Sequence, residues 1–311
     1  MNSTQRLEQY SSRVEWDDID SNWVKELIKR ARAEDMSGAG FKADPITTFD
    51  VSSELLDPKA KGRARLIARQ EMSVCGMPLI PLISAIYGDN FTARNSVKDG
   101  ARLRQGEVLG VLEGTVSAML SAERVVLNFL QRLSGVATET HRYVEALGPV
   151  PTRLLDTRKT TPGWRALEKY AVATGGGWNH RLGLYDRVML KDNHLAVGGF
   201  SGEALADLVK KAKGTYPKLG IEVEVDALEQ IPPVLAAGAD VIMLDNFDDE
   251  SLVEAIALID GKAATEASGG ITIERLPRLA SLGLDFISTG ATVHQAAWVD
   301  IGLDWERSAN D

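Results

Sequence analysis

Short apolar segments alternate with amphipathic helical segments through the second half of the chain, from Val150 onward. The predicted strands are Arg153–Leu155, Arg187–Leu190, Ile221–Val225, Val241–Leu244, Ala263–Ala267 and Asp285–Ser288. The predicted helices between the later strands are Leu228–Ala237, Asp249–Ile259 and Ile273–Leu282. This alternation favours parallel strands, because each helical connection returns the chain to the same edge of the sheet. We therefore predict a parallel α/β architecture for this half.

The first half of the chain has a different pattern. A helix is predicted from Asn22 to Glu34, with Trp23 and Leu27 on one face, and a strand from Arg63 to Gln70. Several glycines after Asp99 indicate short strands joined by turns. This half is predicted to form a mixed α/β sandwich.

The excess of acidic residues argues against broad binding to nucleic acid or to anionic membranes. The formal net charge is -9 at pH 7, whereas both kinds of partner attract an excess of Lys and Arg. The segment from Met1 to Asp20 lacks the basic start and apolar core of a secretory signal, so we expect a cytoplasmic protein. Cys75 is the only cysteine, so a bound metal would need mainly oxygen ligands.

Polar residues follow nearly every predicted strand of the second half, at or just past its C-terminal end. They are Asp156, Arg158, Lys191, Glu224, Asp226, Asp245, Ser268, Thr289 and Gly290. In a βα barrel these strand ends share one mouth, where barrel enzymes build their active sites. One such residue is typical of a solvated loop, but the recurrence favours a functional site.

Acidic residues alternate with apolar ones in the predicted strand Ile221–Val225. Glu222, Glu224 and Asp226 share one face of it. Two interpretations fit: an edge strand facing water, or acids pointing into a barrel with compensating cations. In the second case, Glu224 and Asp245 could supply oxygen ligands to Mg²⁺.

Basic residues gather around the first two predicted strands of the same half. Arg158 and Lys159 follow the first strand, His180 and Arg181 precede the second, and Lys191 ends it. Arginine binds carboxylate or phosphate at two points, and lysine adds a point charge. We predict a polyanionic ligand, with structural ion pairs as the alternative. For His180 alone, a buried core histidine is the simpler interpretation.

A glycine turn, Ser268-Gly269-Gly270, lies between a predicted strand and a predicted helix that begins near Thr272. Bare backbone N–H groups and a helix N-terminus can bind phosphate there. By itself, such a turn is common.

Three motifs carry a family resemblance. They are Asp-Thr-Arg-Lys-Thr-Thr-Pro-Gly from Asp156, Gly-Gly-Gly-Trp-Asn-His-Arg-Leu-Gly from Gly175, and Lys-Asp-Asn-His from Lys191. Together they resemble the quinolinate phosphoribosyltransferases, also called nicotinate-nucleotide pyrophosphorylases (carboxylating). The likeness covers almost the whole chain after residue 22 and includes Glu123-Arg124, Met243-Leu244-Asp245-Asn246 and Gly290 with His294.

The resemblance implies a fold and an assembly. The fold is α/β, with an N-terminal α/β sandwich and an incomplete (open) TIM-like βα barrel. The implied division is a loose segment at 1–22, a sandwich domain at 23–128 plus 292–311, and a catalytic barrel at 129–291. A homodimer, or a multiple of dimers, is also implied, with Arg124 reaching into the neighbouring subunit's site.

The resemblance also implies an activity with named residues. The reaction is pentosyl transfer from phosphoribosyl pyrophosphate to quinolinate, which yields nicotinate mononucleotide, CO₂ and pyrophosphate in de novo NAD biosynthesis. The implied quinolinate pocket consists of Arg158, His180, Arg181 and Lys191, with Thr157 and Lys159 adjacent and Arg124 from the partner subunit. The implied catalytic residues are Lys159, Lys191, Glu224 and Asp245, of which Glu224 and Asp245 would hold Mg²⁺ and ribose hydroxyls. The remaining substrate-binding residues are Ser268, Gly269, Gly270, Thr289, Gly290 and His294, the glycine turns taking the 5-phosphate.

Two departures from the family pattern stand out. Ala43-Asp44-Pro45 replaces a frequent Gly-Asp-x-Thr, and His294 is followed by Gln295 where Ser is usual. The role of His294 therefore stays open.

Three other functions fit parts of the pattern. A molybdenum-associated transferase-like family shares the Thr-Arg-Lys motif but tends to lack Lys-Asp-Asn-His. A Schiff-base aldolase would use Lys191, and a non-catalytic paralogue would bind ligand without turnover.

Overall fold

The structure is a computed structural model that describes residues 3–42, 44–191 and 203–306. Within them the helices are α1 (Ser3–Tyr10), α2 (Ser21–Ser37), α3 (Leu79–Ile86), α4 (Val116–Leu147), α5 (Arg165–Thr174), α6 (Glu203–Thr215), α7 (Ile231–Ala236), α8 (Asp249–Ile259), α9 (Leu276–Ala280) and α10 (Ala291–His294). The strands are β1 (Lys61–Ala68), β2 (Met72–Ser73), β3 (Phe91–Arg94), β4 (Arg102–Leu103), β5 (Val108–Thr115), β6 (Arg153–Leu155), β7 (Val188–Leu190), β8 (Ile221–Val225), β9 (Val241–Asp245), β10 (Ala264–Ser268), β11 (Phe286–Ser288) and β12 (Ile301–Trp305). None of the described helices is long and apolar enough to cross a membrane.

The chain divides into two compact units. The barrel unit comprises Met1–Arg13, Thr140–Thr160 and Gly176–Gln295. The antiparallel-sheet unit comprises Val14–Glu139, Thr161–Gly175 and Ala296–Asp311. The domain limits predicted from the sequence, 23–128 plus 292–311 and 129–291, differ from the limits of these two units and stay a prediction.

The barrel unit is built on a parallel sheet with the order β6-β11-β10-β9-β8-β7. All six strands predicted for this half lie within one residue of their expected bounds. In the described parts of the chain β6 and β7 form the two edges and do not pair with each other, so the barrel is open. The prediction of a parallel α/β barrel is confirmed.

Apolar side chains on the outer face of the sheet pack under the helices. Ile221, Val223 and Val225 of β8 belong to one buried cluster with Val209 of α6 and Leu252 of α8. The alternate residues of β8 consequently point inward, and Glu222 and Glu224 are both buried. Since β8 lies between β7 and β9, the interpretation of a water-facing edge strand is wrong.

The second unit contains an antiparallel sheet with the order β12-β1-β5-β3. Its outer strand β12 comes from the C-terminal end of the chain and pairs with β1, where Ala64 faces Trp305. Strand β12 thus completes this sheet. β2 and β4 form a separate antiparallel pair.

The segment expected to be loose, 1–22, contains α1 within the barrel unit. Leu7 and Tyr10 are three residues apart, so they share one helical face, and both are buried. They pack on residues that begin or line the strands: Leu155, Val241, Ala264 and Phe286. Arg153 Nη1 donates to the Leu7 carbonyl at 2.6 Å, and Arg187 donates to the Tyr10 carbonyl. Because this segment is mostly polar, its sequence did not indicate that Leu7 and Tyr10 would pack against the parallel sheet.

Gly135 provides a test of packing in the antiparallel-sheet unit. An added Cβ at this position of α4 would lie 2.1 Å from the Ala297 carbonyl oxygen, so the backbone would have to move. We expect Gly135→Ala to lower the free energy of unfolding by about 1–3 kcal/mol, measured by urea denaturation. Gly214→Ala in α6 is the matched control, because in the part of the chain that the structure describes no atom lies within 4 Å of its added Cβ. An equal effect of both substitutions would contradict the close contact.

Candidate active site

The C-terminal ends of the parallel strands surround a pocket of about 600 Å³. The predicted site residues that line it are Thr157, Arg158, Lys159, His180, Arg181, Lys191, Glu224, Asp245, Ser268, Gly269 and Gly270. An adjoining pocket of about 400 Å³ shares the glycine turn and Lys159, and adds Thr289, Gly290 and His294. The barrel therefore brings together residues predicted from positions far apart in the sequence. Met189, Met243, Asn246 and Ser288 also line the larger pocket and were not predicted as site residues.

Arg124 differs from the other predicted site residues. It belongs to the antiparallel-sheet unit, where its exposed side chain donates to Glu123 Oε1 at 3.0 Å. Its predicted role in a neighbouring subunit stays a prediction. Asp192, Asn193 and His194, which complete the Lys-Asp-Asn-His motif, lie outside the described residues.

Two carboxylates occupy the pocket from adjacent strands. Glu224 of β8 accepts a hydrogen bond from Lys191 Nζ, just past β7. Asp245 ends β9 and accepts from Asn246 Nδ2 at 2.7 Å. Carboxylate oxygens are the hard donors that Mg²⁺ prefers, so this pair fits such an ion. The Lys191 ammonium meanwhile compensates the charge of Glu224.

The glycine turn presents bare backbone to the pocket. Gly269 and Gly270 have φ values of 81° and 58°, a region in which residues with a Cβ are strained. A Cβ on Gly269 would lie 2.2 Å from Asn246 Oδ1, whereas a Cβ on Gly270 would meet no atom of the described residues within 4 Å. The expected helix N-terminus near Thr272 is instead a 3₁₀ turn, Ile273–Arg275, followed by α9.

A second close approach occurs at Gly290, which follows β11. A Cβ at Gly290 would lie 2.9 Å from Lys159 Cδ and 2.8 Å from His294 Cδ2. The side chains of Lys159 and His294 therefore pack directly against the backbone of this residue. In the sequence analysis, only the family resemblance grouped His294 with Gly290 as substrate-binding residues.

Asp156 anchors the segment that carries His180 and Arg181. Its buried carboxylate accepts hydrogen bonds from Asn179 Nδ2 at 2.9 Å and from the His180 backbone N–H at 2.8 Å. Trp178 also bridges to Leu155, at the end of β6. These contacts hold the His180 side chain inside the barrel.

Four ionisable side chains form what we call the buried charge cluster: His180, Arg187, Glu222 and Glu266. His180 Nε2 lies 3.1 Å from Glu222 and 3.6 Å from Glu266 Oε1. Arg187 Nη1 donates to Glu222 at 2.9 Å and lies 3.4 Å from His180 Nε2. The imidazole of His180 and the carboxylates of the two glutamates are groups that could ligate a metal. The Arg187 guanidinium already lies among them, however, so the two positive charges of Arg187 and His180 balance the two carboxylates.

The buried charge cluster sets the charge of His180. Burial by itself disfavours the imidazolium, but the attraction of Glu222 and Glu266 outweighs it and raises the pKa of His180 to about 9. In turn, His180 and Arg187 overcome the effect of burial on Glu222 and lower its pKa. His180 is therefore cationic at neutral pH. The sequence patterns do not single out Arg187 or Glu266 as site residues, although the alternation that places Glu222 on the inward face applies to Glu266 as well.

Arg158 and Arg181 add further positive charge in the same pocket. Burial lowers the pKa of the Arg181 guanidinium, and the charge of Arg158 lowers it further. An anion bound between these two like charges would stabilise both. An open βα barrel with these cations, two carboxylates and a glycine turn defines an enzyme that acts on polyanionic substrates.

Comparison with known sequences identifies the family. Residues 136–304 match the C-terminal domain of quinolinate phosphoribosyl transferase, and residues 50–134 match its N-terminal domain. The chain belongs to the quinolinate phosphoribosyl transferase family.

Individual relatives agree over nearly the full length. A probable nicotinate-nucleotide pyrophosphorylase [carboxylating] of Bacillus subtilis is 42% identical over 85% of this chain and 90% of that protein. A mitochondrial quinolinate phosphoribosyltransferase of Nicotiana tabacum is 35% identical over 90% of this chain and 81% of that protein. The solved nicotinate-nucleotide pyrophosphorylase of Francisella tularensis is 34% identical, covers 95% of this chain and 100% of its own, and superposes with a TM-score of 0.85. Because one of these relatives is mitochondrial, the cytoplasmic location stays a prediction.

The charge of His180 can be measured directly. We expect its imidazole to titrate near pH 9 in an NMR experiment, with a His180→Gln variant to assign the signal. The folded-state pKa lies above the ordinary value of 6.5, so the stability contributed by this proton is complete below pH 6.5 and is lost as pH rises through about 9. Titration at or below 6.5 would contradict the charged state.

Proposed function

We propose that this protein is a nicotinate-nucleotide pyrophosphorylase (carboxylating) of NAD biosynthesis. It joins quinolinate to phosphoribosyl pyrophosphate and releases nicotinate mononucleotide, CO₂ and pyrophosphate. The observation that carries the proposal is that one barrel mouth is lined by two guanidinium groups, Arg158 and Arg181, and by two carboxylates on adjacent strands, Glu224 and Asp245. A dicarboxylate and a sugar linked to pyrophosphate need both kinds of group in one pocket.

The cationic residues of the pocket would bind the two carboxylates of quinolinate. Arg158 and Arg181 offer planar forks that match a carboxylate, and His180 and Lys191 add two more positive charges. Thr157 lies in the same pocket and offers a hydroxyl. Several hydrogen-bond donors are needed here, because burying a carboxylate oxygen of quinolinate without a donor would be unfavourable in free energy.

The other substrate would lie along the glycine turns. Backbone N–H groups of Ser268, Gly269, Gly270 and Gly290, with the Thr289 hydroxyl, would bind the 5-phosphate. His294 lines the same pocket beside Lys159, and we assign it to phosphate binding. Lys159 lines both pockets, so it can face pyrophosphate where the two substrates meet.

Glu224 and Asp245 would hold Mg²⁺ and the ribose hydroxyls. When bound, the ion would neutralise negative charge on pyrophosphate. Lys191 pairs with Glu224 in the structure and would also contact the quinolinate carboxylate.

The chain's own charges account for the reaction steps. Lys159 would stabilise pyrophosphate as the bond from the ribosyl carbon to oxygen breaks, and the carboxylates of Glu224 and Asp245 would offset the positive charge that develops on the sugar. The pyridine nitrogen then bonds to that carbon and becomes cationic. The ring therefore accepts the electron pair left when the 2-carboxylate departs as CO₂, and a proton replaces the carboxylate. Positioning two polyanions supplies most of the remaining rate enhancement.

We further propose a homodimer, or a multiple of dimers, in which Arg124 reaches the partner subunit's site. This proposal rests on the family resemblance and on the exposure of Arg124. A Schiff-base aldolase is disfavoured, because Lys191 is ion-paired with Glu224, whereas a Schiff-base lysine must be free to attack a carbonyl carbon.

A product assay tests the activity. We expect nicotinate mononucleotide to form from quinolinate and phosphoribosyl pyrophosphate when Mg²⁺ is present, and EDTA to abolish it. No turnover with either Mg²⁺ or Mn²⁺ would refute the proposal. Tight binding of quinolinate by calorimetry without pyrophosphate release would instead support a non-catalytic paralogue.

Gly290→Ala tests the phosphate side of the site. The added Cβ would displace Lys159 and His294, so we expect kcat/KM for phosphoribosyl pyrophosphate to fall roughly 100-fold. The KM for quinolinate should change much less, because Arg158 and Arg181 are not displaced. Steady-state kinetics with Gly214→Ala as control would measure both effects, and unchanged kinetics would contradict this placement.

A further inference from the structure

Glu266 is a buried carboxylate that no step of the proposed reaction uses. Its side chain is fully buried, and among the described residues neither of its oxygens accepts a hydrogen bond. An isolated buried carboxylate is strongly unfavourable, so its charge requires compensation. The ion pair with His180 Nε2, at 3.6 Å, supplies it.

Charge balance in the buried charge cluster shows why Glu266 is needed. Arg187 and His180 lie 3.4 Å apart and both contact Glu222. Without Glu266, the single carboxylate of Glu222 would have to compensate the charges of both cations. Glu266 provides the second negative charge, on the side of His180. Without it, burial and the repulsion from Arg187 would both favour loss of the imidazole proton.

Among the described side chains, Glu222 and Glu266 are carboxylates that contact the His180 ring. Glu222 faces it from β8, Glu266 from β10 and Arg187 from the residue before β7. Arg181 is its neighbour in the chain and adds positive charge to the same pocket, and Asp156 accepts from its backbone N–H. The cations oppose the imidazolium, so the two glutamates alone among these side chains face the ring with negative charge.

We propose that Glu266 is a positioning residue that holds His180 as a cation pointed at the dicarboxylate substrate, and so contributes to selectivity for a pyridine acid with two carboxylates. It does not touch substrate, because it does not line the pocket. The inference rests on the proposed function, since it assigns His180 to quinolinate binding.

The closing experiment compares full-length Glu266→Gln with the wild type at about pH 8, between the ordinary and raised pKa of His180. Gln keeps the shape of Glu and removes its charge. We expect the KM for quinolinate to rise about 10-fold or more, as for loss of a charge-assisted hydrogen bond. The kcat and the KM for phosphoribosyl pyrophosphate should change less than about 2-fold.

An NMR titration separates this role from a structural one. In Glu266→Gln the titration of His180 should move from about 9 toward or below 6.5, and the fall of kcat/KM for quinolinate at high pH should move with it. A merely structural role would leave the titration in place. Glu145→Gln is the matched control, because it removes a carboxylate 3.0 Å from the more exposed His141 and should change neither readout.

Glu266→Asp keeps the charge but withdraws it by about one bond length. It should raise the KM for quinolinate less than Glu266→Gln does and shift the titration less. If Glu266→Gln does not fold, an unchanged KM and titration in Glu266→Asp overturn the proposal. If Glu266→Gln folds and either its KM for quinolinate or its His180 titration is unchanged, the proposal also fails. An inactive wild type whose His180 titration still responds to Glu266→Gln would refute the proposed function alone.

Discussion

Negative charge inside the barrel is the constraint on which the site depends. Glu222, Glu224 and Glu266 all point inward, because the opposite faces of β8 and β10 pack under helices. Carboxylates in that position would destabilise the fold unless cations lay beside them. His180, Arg187 and Lys191 meet that requirement, so the ion pairs that stabilise the barrel also determine the charge of the pocket.

The same ion pairs connect the mouth of the barrel to its N-terminal segment. Arg187 donates to the Tyr10 carbonyl of α1 and to Glu222, which contacts His180 in the pocket. Asn179, beside His180, pairs with Ser12 just after α1. Helix α1 is therefore part of the support of the site, although it lies in the segment expected to be loose.

Strand positions and most of the pocket could be predicted from the sequence. The period-two alternation of Ile221–Val225 depends on local geometry alone, so it indicated the inward acids correctly. Parallel strands place their C-terminal ends at one mouth, which is why Arg158, Lys191 and Asp245 could be grouped without coordinates. The identity of the ligand, by contrast, came from the family motifs.

What the sequence determined by itself is the set of elements, the inward face of each strand and the residue types at the barrel mouth, since these follow from short-range periodicity. Only the tertiary structure decided which charges are paired. The roles of Arg187 and Glu266 depend on their distances to His180. Glu266 lies on β10 and His180 precedes β7, so the sheet must be assembled before these two side chains meet. Pairing in turn decides the protonation of His180, because burial and Coulombic attraction act through space and leave no local pattern in the chain.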